Sequence, residues 1–110
     1  MSDKVEIKQN DTRPPLEATL LAAGGTPIDL TDAERVDFRM ETRDEELIVD
    51  AEAEVIDAAG GEVKYEWSPG DTEDVGRYNA EFDVRFEDGG EITVPNNTYF
   101  RVIIRREITP

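Results

Sequence analysis

The chain has 110 residues, with 27 Asp and Glu against 12 Lys and Arg for a net charge of −15, and it contains neither Cys nor His. Those absences exclude a disulfide framework, a thiolate metal site, a thiol nucleophile, Ser-His-Asp chemistry and the usual general base near neutral pH. The charge repels phosphate backbones and anionic lipid surfaces, so neither nucleic acid nor a membrane is an expected partner.

The length predicts one domain over residues 1–110, with short polar arms at both termini. No apolar run approaches the length of a membrane span, and no signal peptide is visible. Nine of the cations are Arg and only three are Lys. An acidic surface with scarce Lys suits a protein of high-salt surroundings, where screening removes self-repulsion. The competing reading is an ordinary acidic protein.

Residues 1–4 read as a polar arm. Val5 and Ile7 then alternate with Glu6 and Lys8 as a first strand. Asn10–Pro15 is a turn, because Pro14 and Pro15 forbid helix and remove two ladder donors. Leu16, Ala18, Leu20 and Ala22 alternate as a second strand, and Ala23–Pro27 is a loop. Thr31 and Glu34 stand at capping-box spacing. Val36, Phe38 and Met40 alternate straight afterwards, so a loop into a third strand is preferred to a helix. Leu47–Ile56 alternates as a fourth strand, although its Ala and Glu content also suits helix. Asp57–Gly61 is a hairpin turn into a fifth strand bearing Val63, Tyr65 and Trp67. Ser68–Asp74 is a corner. From Tyr78 the alternation is strict, with Ala80, Phe82, Val84 and Phe86 on its side and Asn79, Glu81, Asp83 and Arg85 on the other. This sixth strand carries the strongest periodic signal in the chain and is expected at the centre of the fold. After a turn at Glu87–Glu91, Ile92–Val94 and Tyr99–Arg105 form a seventh strand, interrupted at Pro95-Asn96-Asn97.

About seven short strands with turn signals between them predict an all-β, antiparallel two-sheet sandwich. Asp74-x-Gly76-x-Tyr78 looks like the tyrosine corner of immunoglobulin-like domains, whose Tyr hydroxyl bonds back to the preceding corner; the alternative is a hairpin Gly before a core Tyr. The expected structural core is Trp67, Gly76, Tyr78, Phe82 and Phe86, with Trp67 against Phe82. Asp44-Glu45-Glu46 and Asp71-Thr72-Glu73-Asp74 lack the ligand spacing of a calcium loop, and solvated faces are the preferred reading. No metal, cofactor or catalytic residue is assigned. A carbohydrate site would need Trp67 and the other aromatics exposed, whereas alternating strand positions favour core.

Several segments, taken in order, resemble a family: Gln9–Leu16, Gly25–Thr31, Val36–Met40, Gly61–Thr72, Gly76–Tyr78, Phe86–Gly89 and Pro95–Asn97. The pattern is similar to the immunoglobulin-like domain at the N-terminus of phage baseplate upper proteins, also found as small free-standing proteins of tailed viruses. Asp32 stands where a Gly often follows the Leu-Thr pair. The resemblance implies a non-catalytic virion component of the tail or baseplate that docks other virion structural proteins in a symmetric multi-copy assembly. The chain ends at Pro110, so a receptor-binding role is not carried over. With the acidic surface, a virus of a halophilic host is expected. The alternatives are a capsid decoration or turret protein and, from another class, a soluble carbohydrate- or ligand-binding sandwich.

The expected partner contact lies in the last strand. With Phe100, Val102 and Ile104 inward, Ile103 points outward between Arg101 and Arg105, and Arg106 and Ile108 follow in the C-terminal arm. Apolar burial at Ile103 and Ile108, with arginines matched to an acidic neighbour, fits a subunit contact, made most simply by strand addition at an open edge. The alternative is that the chain's own N-terminal arm covers Ile103.

Overall fold

A computed structural model describes residues 4–95 and 99–108, among which there are nine strands and no helix. They are β1 (Lys4–Lys8), β2 (Leu16–Thr19), β3 (Ala33–Thr42), β4 (Leu47–Glu52), β5 (Glu54–Asp57), β6 (Glu62–Tyr65), β7 (Gly76–Phe86), β8 (Glu91–Val94) and β9 (Phe100–Arg105). One sheet runs β1-β9-β7-β3-β4, with β8 also on β7; the other is β2-β6-β5. The pairs are antiparallel except β1 with β9, which is parallel, Lys4 opposite Arg101 and Lys8 opposite Arg105. Their inner faces enclose the core of an all-β, immunoglobulin-like sandwich.

The strand count rises above seven because two of the expected strands each divide. Leu47–Ile56 breaks at Ala53, whose buried N–H donates to the Val36 carbonyl at 2.8 Å. Before the break β4 lies on β3; after it β5 crosses to β6 in the other sheet. The last strand divides as its prolyl interruption suggested, with Asn96 and Asn97 outside the described residues. Its halves lie in line along one edge of β7, Val94 opposite Phe82 and Phe100 opposite Ala80. The second strand stops at Thr19, and Ala22 is exposed in a turn whose N–H donates to the Thr26 carbonyl. The capping-box helix does not form, because the Asp29 carboxylate takes the Thr31 N–H at 2.9 Å and begins a turn instead.

The alternation in β7 translates directly into burial. Tyr78, Ala80, Phe82 and Val84 are buried, and Phe86 is half-buried. Phe38 from β3 is the hub of the aromatic core. It stacks on Tyr65 at 4.6 Å between centroids, meets Trp67 edge-on at 5.8 Å and Phe82 at 5.2 Å. Phe38 is thus in ring contact with both Trp67 and Phe82. Such aromatic pairs add about 1 kcal/mol each beyond the area they bury. At the corner, the Tyr78 hydroxyl donates to the Asp74 carbonyl at 2.6 Å, and its ring packs beside Gly76. This tyrosine corner contributes on the order of 1 kcal/mol, the net worth of one buried hydrogen bond.

Candidate docking surface

The outer face of the larger sheet is a grid of charges set by strand register. One row holds Glu6, Ile103 and Arg77; the next holds Lys4, Arg101, Asn79 and Glu41. Further along β7 come Glu81, Arg39 and Asp50, then Thr93, Asp83, Asp37 and Glu52. The two halves of this face differ in how their cations are used.

In the half toward the end of β7, arginines and carboxylates neutralise one another. Arg35 Nε lies 2.7 Å from Asp37, Arg39 Nε 3.2 Å from Asp50, and Arg85 Nε 3.9 Å from Glu91. Asp83 occupies an outward position yet is 1% exposed. The stems of Arg39 and Arg85 cover it, each placing a guanidinium nitrogen 3.7 Å from Oδ2, and Thr93 Oγ1 donates to Oδ1 at 3.4 Å. Oδ2 accepts no hydrogen bond among the described residues, and the two guanidinium charges stand beside it.

In the half where β7 begins, a groove of about 570 Å³ is lined by Lys4, Arg43, Arg77, Arg101 and Arg105, with Tyr78, Asn79 and Ile103. Arg105 Nε donates to Glu6 Oε1 at 2.6 Å, and that hydrogen bond and charge, with Lys4 adding to them, hold the Glu6 carboxyl below its ordinary pKa. Arg43, Arg77 and Arg101 form no ion pair among the described residues. Beside the groove lies a smaller depression lined by Leu47, Tyr99, Met40 and Glu81 among others. Burial pushes the Glu81 carboxyl up, with Glu41 and Asp83 adding to the shift and Arg39 opposing it.

Of the expected contact residues, Arg101 and Arg105 are exposed and Ile103 is half-buried between them, facing outward opposite Arg77. Arg106 is exposed beyond β9, and Ile108 is 83% exposed; neither lines the groove. The open edge expected at β9 is taken by β1, with Glu6 opposite Ile103. The chain's own N-terminal strand therefore occupies the place of an added strand, and what this region leaves open is its face. Local sequence does not reveal Arg43, Arg77 and Lys4 as neighbours of Arg101, because three separate strand pairings bring them together.

Of the carboxylates in the two acidic clusters, that of Asp71 serves the fold. Asp71 Oδ2 accepts from the Tyr65 hydroxyl at 2.5 Å and the Ser68 N–H at 2.8 Å, while Thr42 Oγ1 accepts the N–H groups of Asp44 and Glu46. Among the described residues no three carboxylates are grouped to hold a metal ion. Trp67 is 5% exposed, so its ring offers no platform for a sugar.

The family model of the BppU N-terminal domain matches residues 2–106. Among solved structures, the N-terminal domain of phage TP901-1 ORF48 is similar at a TM-score of 0.66 and 21% identity, over 92% of this chain and 83% of that one. CopC from Methylosinus trichosporium OB3b is similar at a TM-score of 0.57 and 13% identity, over 97% of this chain and 88% of that one. At such identities both likenesses speak for the fold alone. No curated protein matches the chain.

Proposed function

Because the chain belongs to the BppU N-terminal domain family, that of the phage baseplate upper proteins, we propose that it is a non-catalytic docking module that joins neighbouring proteins of a tail baseplate. The single observation that carries the docking role is the groove. On a chain of net charge −15, Arg43, Arg77 and Arg101 face solvent together without an ion-pair partner among the described residues. Charge-matched contacts to an acidic neighbour, with Ile103 supplying apolar area, are what such a surface offers. The C-terminal Arg106 and Ile108 extend that contact beyond the groove. Several copies per particle, and a halophilic host suggested by the acidic, Lys-poor composition, complete the proposal. The baseplate family draws the reading away from a capsid decoration, and the buried Trp67 draws it away from a sugar-binding sandwich.

The test is incorporation into particles. A chain carrying Arg101→Glu and Ile103→Asp should keep the wild-type far-UV spectrum, since neither side chain belongs to the buried core. It should nevertheless be missing from purified virions, and wild-type chain should be located at the baseplate in a particle map. Unimpaired incorporation would sink the groove as the docking surface and move attention to the Asn10–Pro15 loop.

A further inference from the structure

The molecule measures 50 × 25 × 24 Å, and an arginine-lined groove and an acidic hairpin tip stand at the two ends of β7, roughly 35 Å apart at 3.4 Å per residue. The groove of Arg43, Arg77, Arg101 and Arg105 marks one end. At the other, the β7–β8 hairpin tip gathers Asp32, Glu87 and Asp88, because the Glu87 N–H donates to the Asp32 carbonyl at 3.0 Å. The Asp88 carboxylate accepts the Gly90 N–H at 2.8 Å, which fixes the turn. All three acids are exposed, and none forms an ion pair among the described residues.

We propose that the hairpin tip of one copy seats in the groove of the next, so that copies of this chain associate head to tail. With 27 carboxylates and 12 cations in the chain, three arginines lining one groove with no ion pair among the described residues stand out, Glu6 being held by Arg105. The tip supplies the missing chemistry: three exposed carboxylates on two adjoining turns, set against three arginines whose planar donor forks suit carboxylate oxygens. Ile103 at the groove gives the tip an apolar surface to rest on. The contact joins two different patches, so it is heterologous. It closes into a ring when the rotation between copies divides a full turn and extends as a filament when it does not. This deepens the multi-copy docking reading and rests on it, naming the second copy as the acidic neighbour of the groove.

Exposed charge pairs are individually weak, so the test traps the contact covalently, which a chain without native Cys permits cleanly. A chain with Asn79→Cys in the groove and Asp88→Cys at the tip should form a ladder of disulfide-linked oligomers under mild oxidation. Its initial rate should exceed that of a control pair, Glu17→Cys with Asp88→Cys, by roughly tenfold, the scale on which a charge-lined cleft concentrates its counter-charge. Adding Arg77→Glu and Arg101→Glu, or raising the salt, should return the rate to that of the control. A ladder no faster than the control, or one indifferent to charge reversal, overturns the head-to-tail contact. If trapping fails while Arg101→Glu with Ile103→Asp still abolishes incorporation, the groove docks a different virion protein and the docking role stands. If trapping fails and incorporation is also unaffected, both readings fall.

Discussion

Two phenol groups hold the Ser68–Asp74 corner from opposite sheets, Tyr65 through the Asp71 carboxylate and Tyr78 through the Asp74 carbonyl. Burial, then the hydrogen bond and charge of Asp71, push the Tyr65 pKa up to about 12. Burial also raises Tyr78, with the charges of Asp74 and Glu46 adding to it. A phenol whose folded pKa lies above its unfolded value stabilises the fold fully below the unfolded pKa and loses that contribution as pH climbs through the folded one. Stability should therefore hold below about pH 10 and fall between about pH 10 and 12. Urea midpoints across that window test it, and Tyr65→Phe should flatten much of the fall; an unchanged slope would remove Asp71 and Tyr65 from the account. Tyr78 was legible in the sequence because Asp74-x-Gly76-x-Tyr78 is a local pattern. The Tyr65–Asp71 bond was not, because it depends on how tightly the corner folds back. Asp83 is a similar case: alternation assigns it to the wet face, yet it is buried with Arg39, Arg85 and Thr93 against it.

Backbones meet closely at the turn before β6. Gly61 has φ +68°, and a Cβ there would stand 2.7 Å from the Ile28 carbonyl oxygen and 3.0 Å from that of Leu20. Its own carbonyl accepts the Leu20 N–H at 2.8 Å, so the turn cannot retreat without breaking that link. Gly89, in the β7–β8 turn, has φ +89° but open space where a Cβ would go. Gly61→Ala should cost about 3 kcal/mol, from strain plus collision, and Gly89→Ala about 1 kcal/mol, from the left-handed backbone alone. Equal losses in urea unfolding would show that backbone conformation, and not close approach, decides both sites. The alternation that located β3, β6 and β7 is a property of single strands and reads out which side chains face inward. It carries no information on which sheet a strand joins. The change of sheets at Ala53 stayed hidden for that reason, as did the pairing of β1 with β9 across nearly the whole chain. The groove follows the same rule: Arg101, Ile103 and Arg105 were legible as one face of one strand, whereas Arg43 and Arg77 required the register between strands.

At the scale of the whole molecule, net charge dominates the response to solvent. The ion pairs around Asp37, Asp50 and Asp83 use only some of the cations, and 27 carboxylates on 110 residues remain largely unbalanced. Moving from about 10 mM to about 1 M KCl shortens the screening length from about 30 Å to about 3 Å, which removes most repulsion between exposed charges. The melting temperature should rise clearly over that range, more than the exposed ion pairs lose. A flat curve would withdraw the halophilic reading and leave the fold untouched.

The parallel pairing of β1 with β9 also settles how the molecule bears mechanical load. The backbone enters through Lys4 and leaves past Arg105, at opposite ends of two neighbouring strands that run the same way, with Gln9 N–H still bonded to the Arg105 carbonyl at 2.7 Å. Tension drawn between the termini pulls these strands past each other along their length. The load falls on every rung of the ladder at once, where a hairpin pulled from its open end would yield rung by rung. Traction along these two strands is thus met in shear, and the rungs from Lys4 opposite Arg101 to Lys8 opposite Arg105 carry it together.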